Sequence, residues 1–183
     1  FYTRAYDDAG NSEAVPSGDV AKENAGYDVS APIGHVVTRV GVYWNITGSI
    51  TLTWSVQDNV NLSTVTLQYR YATNNESVFG AWTDFATKNI NGTAADNTEF
   101  GVFTFTFPNG EGVYEFQLNA TDNSDDGAND SATGGGEDAG YDATAPTSSA
   151  DTISPYEQTA SPITVNATAS DTLSGLAKVE LWY

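Results

Sequence analysis

A nearly identical octet occurs twice in the chain, as "AGYDVSAP" at residues 25–32 and as "AGYDATAP" at residues 139–146. Tyr27 and Tyr141 lie 114 residues apart, which is about the length of one small domain. A linker-like motif that returns at the spacing of a domain indicates tandem repeats. We therefore expect repeated units joined by these octets.

The text on both sides of the octets repeats as well. "ITLTWSVQD" (50–58) aligns with "ITVNATASD" (163–171), and "FYTRAYD" (1–7) aligns with "FQLNATD" (116–122). After one inserted residue, Val65, Leu67 and Tyr69 align with Val179, Leu181 and Tyr183. The alignment predicts three domains: 1–27 as the closing strands of one repeat, 28–145 as a complete repeat, and 146–183 as the opening strands of a third.

The two partial repeats carry a further expectation. Half a repeat exposes an apolar face, so we expect Phe1, Leu176, Val179 and Leu181 to be buried against protein, from this chain or from a neighbouring copy. If the end of one chain joined the start of the next, the composite repeat would still lack the residues equivalent to Arg70 to Glu115. Covalent continuation with lateral self-contacts is therefore favoured over strand exchange.

The apolar residues alternate with a period of two, which predicts β-strands with one buried face. Alternation runs through 50–56, 65–71, 103–107 and 114–120, and turn-forming residues fill 57–61, 73–77, 90–97, 108–112 and 122–131. Pro108-Asn109-Gly110 predicts a hairpin. About seven antiparallel strands per repeat is typical of an all-β, immunoglobulin-like sandwich. Since the chain has no Cys, we expect no disulfide and a core resting on Trp54, Tyr69, Phe103, Phe105, Tyr114 and Phe116.

The net charge of the chain disfavours two classes of binding partner. The chain has 24 Asp plus Glu against 6 Lys plus Arg, a net charge of −18, which disfavours nucleic acid and anionic membranes. Seven Asn-x-Ser/Thr sequons favour an exported glycoprotein at the cell surface. The candidate glycosylation sites are Asn45, Asn61, Asn75, Asn91, Asn119, Asn129 and Asn166.

The segment "YDATAPTSSADTISPYEQTASPITVNATASDTLSGLAKVELWY" (141–183) resembles the Ig-like tandem repeats of large archaeal and bacterial cell-surface proteins. Residues 1–11 are similar to the closing strand of such repeats, and the complete repeat is more divergent, with Trp54 at the position of Ala167. The resemblance implies an envelope or adhesive array such as a surface layer, an adhesin or a filament. It names no ligand, because such sandwiches carry many functions.

Residues able to perform catalysis are scarce. General acid–base or nucleophilic chemistry requires a His, a Cys or a paired carboxylate beside a nucleophile. The single His is His35, expected as an ordinary surface side chain near the edge of the first strand. We therefore expect no enzymatic activity in this part of the chain.

A carbohydrate-binding or spacer module of a secreted polysaccharide-degrading enzyme is the alternative. "FGAWTDF" (79–85) places Trp82 and Phe85 beside a predicted hairpin, where exposed rings would stack on sugars. The competing interpretation is that these aromatics close one end of the core. Exposure of Trp82 separates the two.

Calcium at the repeat junctions is the remaining candidate chemistry, because converging loops supply the carboxylates that Ca²⁺ prefers. If Asp58 follows the second strand and Asp122 the sixth, their loops meet at the end that receives the linker with Asp28. Asp142 and Asp171 hold matching positions at the next junction. The alternative is that these Asp residues cap turns through backbone amides.

Together these observations predict a non-catalytic structural or adhesive segment of an extracellular microbial surface assembly. The expected partners are further copies of the chain, neighbouring repeats and surface glycans, without nucleic acid or direct membrane insertion. Pro32 and Pro146 restrict the residues before them to extended conformations, so we also expect stiff junctions.

Overall fold

The computed structural model describes residues 4–14, 30–59, 62–73, 78–90, 98–123, 131–154, 157, 159 and 161–182. This part of the chain forms strands and no helix, which confirms the all-β class. The ten strands are β1 (Ile33–Val40), β2 (Trp44–Asn45), β3 (Ile50–Gln57), β4 (Leu62–Ala72), β5 (Thr83–Asn89), β6 (Thr98–Phe105), β7 (Gly112–Asp122), β8 (Ser131–Tyr141), β9 (Thr147–Ala150) and β10 (Ala167–Ser170).

The strands form three sheets. Their orders are β1-β3-β6, β2-β8-β7-β4-β5 and β10-β9. Strand pairs are antiparallel except for β2 and β8, which run parallel, so the expectation of purely antiparallel pairing is wrong at this edge. The cause is that the chain leaves the three-stranded sheet after β1, passes through residues 41–43, and joins the other sheet beside β8.

The two larger sheets contribute side chains to one hydrophobic cluster, as the period-two pattern predicts. In β3, Ile50, Leu52, Trp54 and Val56 are buried; in β7, Tyr114, Phe116, Leu118 and Ala120 are. Five of the six predicted core aromatics are buried, and the sixth, Tyr69, packs half-buried against them. Phe105 lies at the centre, with ring centroids 4.6 Å from Phe85 and 4.8 Å from Phe116.

The turn after β6 corrects one expectation. A turn is present, with Gly110 N–H donating to the carbonyl of Phe107 at 3.2 Å. It does not close a hairpin, because β6 pairs with β3 whereas β7 pairs with β4 and β8. The Tyr114 hydroxyl donates to Gly110 O at 2.7 Å and fixes this crossing between the sheets.

Strand β8 was not predicted, and it changes the view of the second octet. Ala139, Gly140 and Tyr141 belong to this strand instead of a linker, and Ala139 and Gly140 are buried. Its Gly134-Gly135-Gly136 run lacks apolar alternation, so the pattern gave no strand signal there. Gly135 has φ +80°, a conformation that suits Gly, at the bulge opposite Phe116–Leu118.

Strands β9 and β10 reproduce the pairing of β1 and β3. Thr147 pairs with Ser170, and the aligned residues Ile33 and Gln57 also pair. The pairs Ala150–Ala167 and Val37–Trp54 correspond too, once the bulge in β1 is counted. Two parts of the chain that share sequence thus share strand register.

The segment 176–182 differs from the expectation. It aligns with β4, yet it forms no strand. In β4 the corresponding residues pair with β5 and β7, whereas 176–182 has no strand partner among the described residues. Leu176, Val179 and Leu181 are accordingly 44%, 55% and 63% exposed, so their expected burial is wrong for contacts within this chain, and Phe1 lies outside the described residues.

Candidate functional sites

Asp142, the residue after β8, lies at the junction between the part of the molecule from β1 to β8, which we call the body, and the segment that contains β9 and β10. Its backbone N–H donates to Asn45 O at 2.9 Å, which extends the parallel ladder by one bond. Its carboxylate is buried and accepts from the amides of Thr144 at 3.1 Å and Ser174 at 3.0 Å. One side chain thereby links the octet to the turn that follows β10.

Glu111 holds the same linker from the other side. It stands in the turn before β7, and its carboxylate accepts from the Ala143 amide at 3.0 Å and from the Thr144 hydroxyl at 2.9 Å. We call Glu111, Asp142, Thr144 and Ser174 the junction clamp. Hydrogen bonds from Ser174 lower the pKa of the Asp142 carboxyl below its ordinary value, so the clamp holds its charged form at neutral pH.

Asp171 caps the turn that carries Ser174. Its carboxylate oxygen Oδ1 accepts from the amides of Leu173 at 3.1 Å and Gly175 at 2.8 Å. Asp7 accepts in the same i+2 and i+4 pattern, from Ala9 and Asn11. Asp142 and Asp171 thus have the geometry of turn caps, the alternative to metal ligands.

The first junction is described only in part. Asp58 follows β3 and Asp122 ends β7, so both lie at the same end of the body, and both are buried. Asp28 lies outside the described residues. Within the part of the chain that is described, no group of three or more His, Asp or Glu side chains is arranged to hold a metal ion. Calcium at this junction stays a prediction.

A groove of about 440 Å³ crosses the five-stranded sheet on the side away from the core. It is lined by Arg70, Trp82, Glu115, Phe116, Gly135, Gly136, Glu137 and Asp138. Trp82 is 36% exposed, and the Arg70 guanidinium lies 4.9 Å from its ring centroid and 2.5 Å from the Glu115 carboxylate. A flat ring, a cation and carboxylates thus meet in one concave surface.

Phe85 has a different role from the one predicted for it in sugar binding. It packs half-buried against the core cluster, with its ring centroid 6.4 Å from that of Tyr69. The structure therefore separates the two aromatics of the "FGAWTDF" segment: Trp82 faces the groove and Phe85 completes the core.

The sequons differ in accessibility. The Asn45 amide nitrogen donates to the carbonyls of Tyr43 at 3.1 Å and Gly140 at 3.3 Å, so a glycan there would break bonds that hold β2. Asn119 is half-buried in β7, whereas Asn166 is exposed just before β10. Asn61, Asn75, Asn91 and Asn129 lie outside the described residues.

His35 is less exposed than expected. Its Nε2 lies 2.9 Å from Ala132 O in β8, and burial lowers the pKa of the ring below its ordinary value. Nearby, Arg39 forms ion pairs with Glu137 at 3.1 Å and Asp138 at 3.6 Å. These contacts fasten β1 to β8 where the two sheets meet.

No described helix is long and apolar enough to cross a membrane.

Sequence reasoning missed Glu111 and Ser174. Glu111 had a local signal only as a turn residue, and its partner Thr144 lies 33 positions away.

Comparison with known proteins adds no candidate site: no family model matches the chain, and the searches of curated proteins and of solved structures found no match.

Proposed function

We propose that the chain is a non-catalytic structural or adhesive segment of an extracellular microbial surface assembly, built from tandem Ig-like β-sandwich repeats. Copies of the same chain, neighbouring repeats and surface glycans are its partners. The observation that carries this proposal is the junction clamp, because a linker bonded on both sides makes successive repeats a continuous rod.

The strand order supports the Ig-like part of the proposal. Sheets β1-β3-β6 and β2-β8-β7-β4-β5 share one core, and the chain changes sheets between β1 and β2. Immunoglobulin-like sandwiches place their strands in two such sheets. The shared register of β1–β3 and β9–β10 supports the tandem part.

The proposal is tested by measuring the freedom of the junction. The chain has no Cys, so Thr87→Cys with Thr168→Cys accepts two spin labels at unique exposed positions, one in β5 and one in β10. We expect one narrow distance distribution by pulsed electron spin resonance. A broad distribution, as a freely jointed linker gives, would contradict the proposal.

Variants of the clamp sharpen this test. Glu111→Ala with Asp142→Ala removes both carboxylates and should broaden the distribution. Asp151→Ala removes an exposed carboxylate outside the clamp and is the matched control, with an unchanged distribution expected. Equal widths in both variants would show that the clamp does not set the junction.

Export is tested by glycosylation. Peptide mapping of the natively expressed protein should find modification at exposed Asn166 and none at Asn45, whose amide nitrogen is already bonded. An unmodified chain would count against the extracellular assignment.

The groove favours the second candidate, a carbohydrate-binding module of a secreted polysaccharide-degrading enzyme. Trp82 offers a ring, and Arg70 and Glu115 offer planar hydrogen-bonding groups in one concavity. Titration with soluble glycans should quench tryptophan fluorescence in the wild type and in Trp182→Ala but not in Trp82→Ala. No quenching in any of the three proteins would remove this candidate.

A further inference from the structure

The three-stranded sheet has a face turned away from the core, which we call the outer β1–β3–β6 face. Strand register places nine side chains on it, in rows that cross the sheet: Val36, Thr38, Val40, Thr51, Thr53, Ser55, Phe100, Val102 and Thr104. These positions alternate with buried ones such as Val37, Leu52 and Phe103. None of the nine carries a charge, although the chain has a net charge of −18.

The same face exposes large apolar side chains. Phe100 is 73% exposed, and Val36, Val40 and Val102 are each about half exposed. Isolated exposed apolar residues are ordinary on a protein surface, but a contiguous group of them marks an interaction site. The outer β1–β3–β6 face is therefore a candidate interface.

Shape narrows the choice of partner. Beside Phe100 lies a recess of about 370 Å³, lined by Val36, Thr53, Trp54, Ser55, Phe100, Gly101 and Val102. The missing side chain of Gly101 is on the core side, against the Trp54 ring, so the recess is walled by the outward residues around it. A projecting ring and an apolar recess on one face are the two halves of an isologous contact, in which the same patch is used by both copies.

We propose that the outer β1–β3–β6 face binds the same face of a second copy of this chain, with Phe100 of each copy in the recess of the other. This rests on the proposed function, for which it supplies the lateral contact between arrays. Two copies that each carry −18 repel one another over most orientations. An uncharged face lets them meet without placing carboxylates in contact.

The size of the face sets the strength of the contact. Three strands of eight residues cover roughly 400 Å² at ordinary strand spacing and rise. That is half of the roughly 800 Å² per partner in a standard interface, so one pair of repeats binds weakly. Repeats in tandem add such contacts along an array, and the combined affinity then exceeds that of a single pair.

Sedimentation velocity of the full 183-residue chain tests the proposal. We expect the sedimentation coefficient to rise with protein concentration toward about 1 mM, the range of a weak contact. The rise should be larger at high salt, because salt screens the repulsion between the acidic copies. A coefficient that stays that of a monomer at every salt concentration would overturn the proposal.

Charge placed on the face locates the contact. Phe100→Glu and Val102→Glu each set like charges against each other in the complex, and association should weaken about tenfold or more. Thr87→Glu adds the same charge on an exposed position of β5, in the other sheet, and should associate about tenfold more tightly than either face variant. Circular dichroism melting confirms that all three variants are folded.

The outcomes separate this inference from the proposed function. Equal weakening in all three variants would overturn the proposed face, because net charge alone would explain it. A narrow distance distribution at the junction with no self-association would leave the rod intact and remove the lateral contact. Association lost only in the two face variants, in a chain with a broad distribution, would support the contact and refute the rod.

Discussion

The pairs β1–β3 and β9–β10 carry similar sequence and the same register, yet their surroundings differ. In the first pair Leu52 is fully buried between two sheets; in the second, the aligned Val165 precedes β10 and is only half-buried. Pairing depends on residues within about 25 positions, whereas burial depends on β6 and β7, which follow much later. Nearby residues therefore determine the strand register in this chain, whereas distant strands determine which residues are buried in the core.

The largest expected effect follows from that contrast. Leu52→Ala removes a fully buried side chain and should lower the free energy of unfolding by about 2–5 kcal/mol. Val165→Ala, at the aligned position, should change it by about 0.5 kcal/mol or less. Urea denaturation of both variants measures the difference, and similar losses would show that Val165 is packed as tightly as Leu52.

A second prediction concerns the residue that accommodates Trp54, the residue that aligns with Ala167. Gly101 pairs with Trp54 across the sheet, and an added Cβ would lie 2.4 Å from the indole ring. Gly101→Ala should cost about 1–3 kcal/mol of unfolding free energy through overpacking.

Gly136→Ala is the matched control, because no atom lies within 4 Å of its added Cβ. It should be close to neutral in the same denaturation experiment. If Gly101→Ala lowers the free energy of unfolding no more than Gly136→Ala does, the Trp54 side chain repacks freely.

The junction should respond to acid because the pKa of Asp142 is lowered by Ser174. The folded state favours the carboxylate, so its contribution is complete above the unfolded value near 3.8 and is lost as pH falls through the lowered pKa. The label distance distribution should broaden only as the pH falls below 3.8, and Asp142→Asn should broaden it already at pH 7. A width independent of pH would show that Asp142 does not govern the junction.

The smallest effect is expected at His35. Burial lowers the pKa of His35, so the folded state favours the neutral ring. Its contribution is complete above the unfolded value of 6.5 and is lost as pH falls from there through the lowered pKa. Urea midpoints between pH 7 and 5 should fall less for His35→Gln than for the wild type; parallel curves would exclude this role.

Sequence predicted the parts of the fold that local pattern controls. The alternation of β3, β6 and β7 and the burial of Phe103, Phe105 and Phe116 follow from a period of two, which any one strand displays. Strand β8 was not predicted, because its glycines are required by a bulge and by close packing on β1. No pattern within the strand reveals these contacts. The crossing between the sheets after β6 was not predicted for a similar reason, because a turn motif does not indicate which sheet the next strand joins.

The candidate sites were less predictable than the core. Asp142 and Asp171 were identified by their places in the alignment, and capping of local turns was one of the two interpretations, but the bond from Ser174 to Asp142 was not foreseen because the two residues lie 32 positions apart. The groove depends on Arg70 lying between Glu115 and Trp82, and Glu115 is 45 positions away in sequence. Contacts of this kind arise from the sheet order, which the pattern alone left open.

The parallel pairing of β2 and β8 has a mechanical consequence. β2 follows β1 near the start of the body and β8 ends it, so once β1 has been pulled away, tension drives β2 and β8 in opposite directions along a common axis. Three hydrogen bonds, Gly140 N to Tyr43 O, Asp142 N to Asn45 O and Asn45 Nδ2 to Gly140 O, then carry the load together. A ladder sheared in this way must lose its bonds at once, whereas a hairpin unzips one bond at a time. The short strand β2 thus makes the body resist stretching after β1, which precedes it in the chain, has been pulled away.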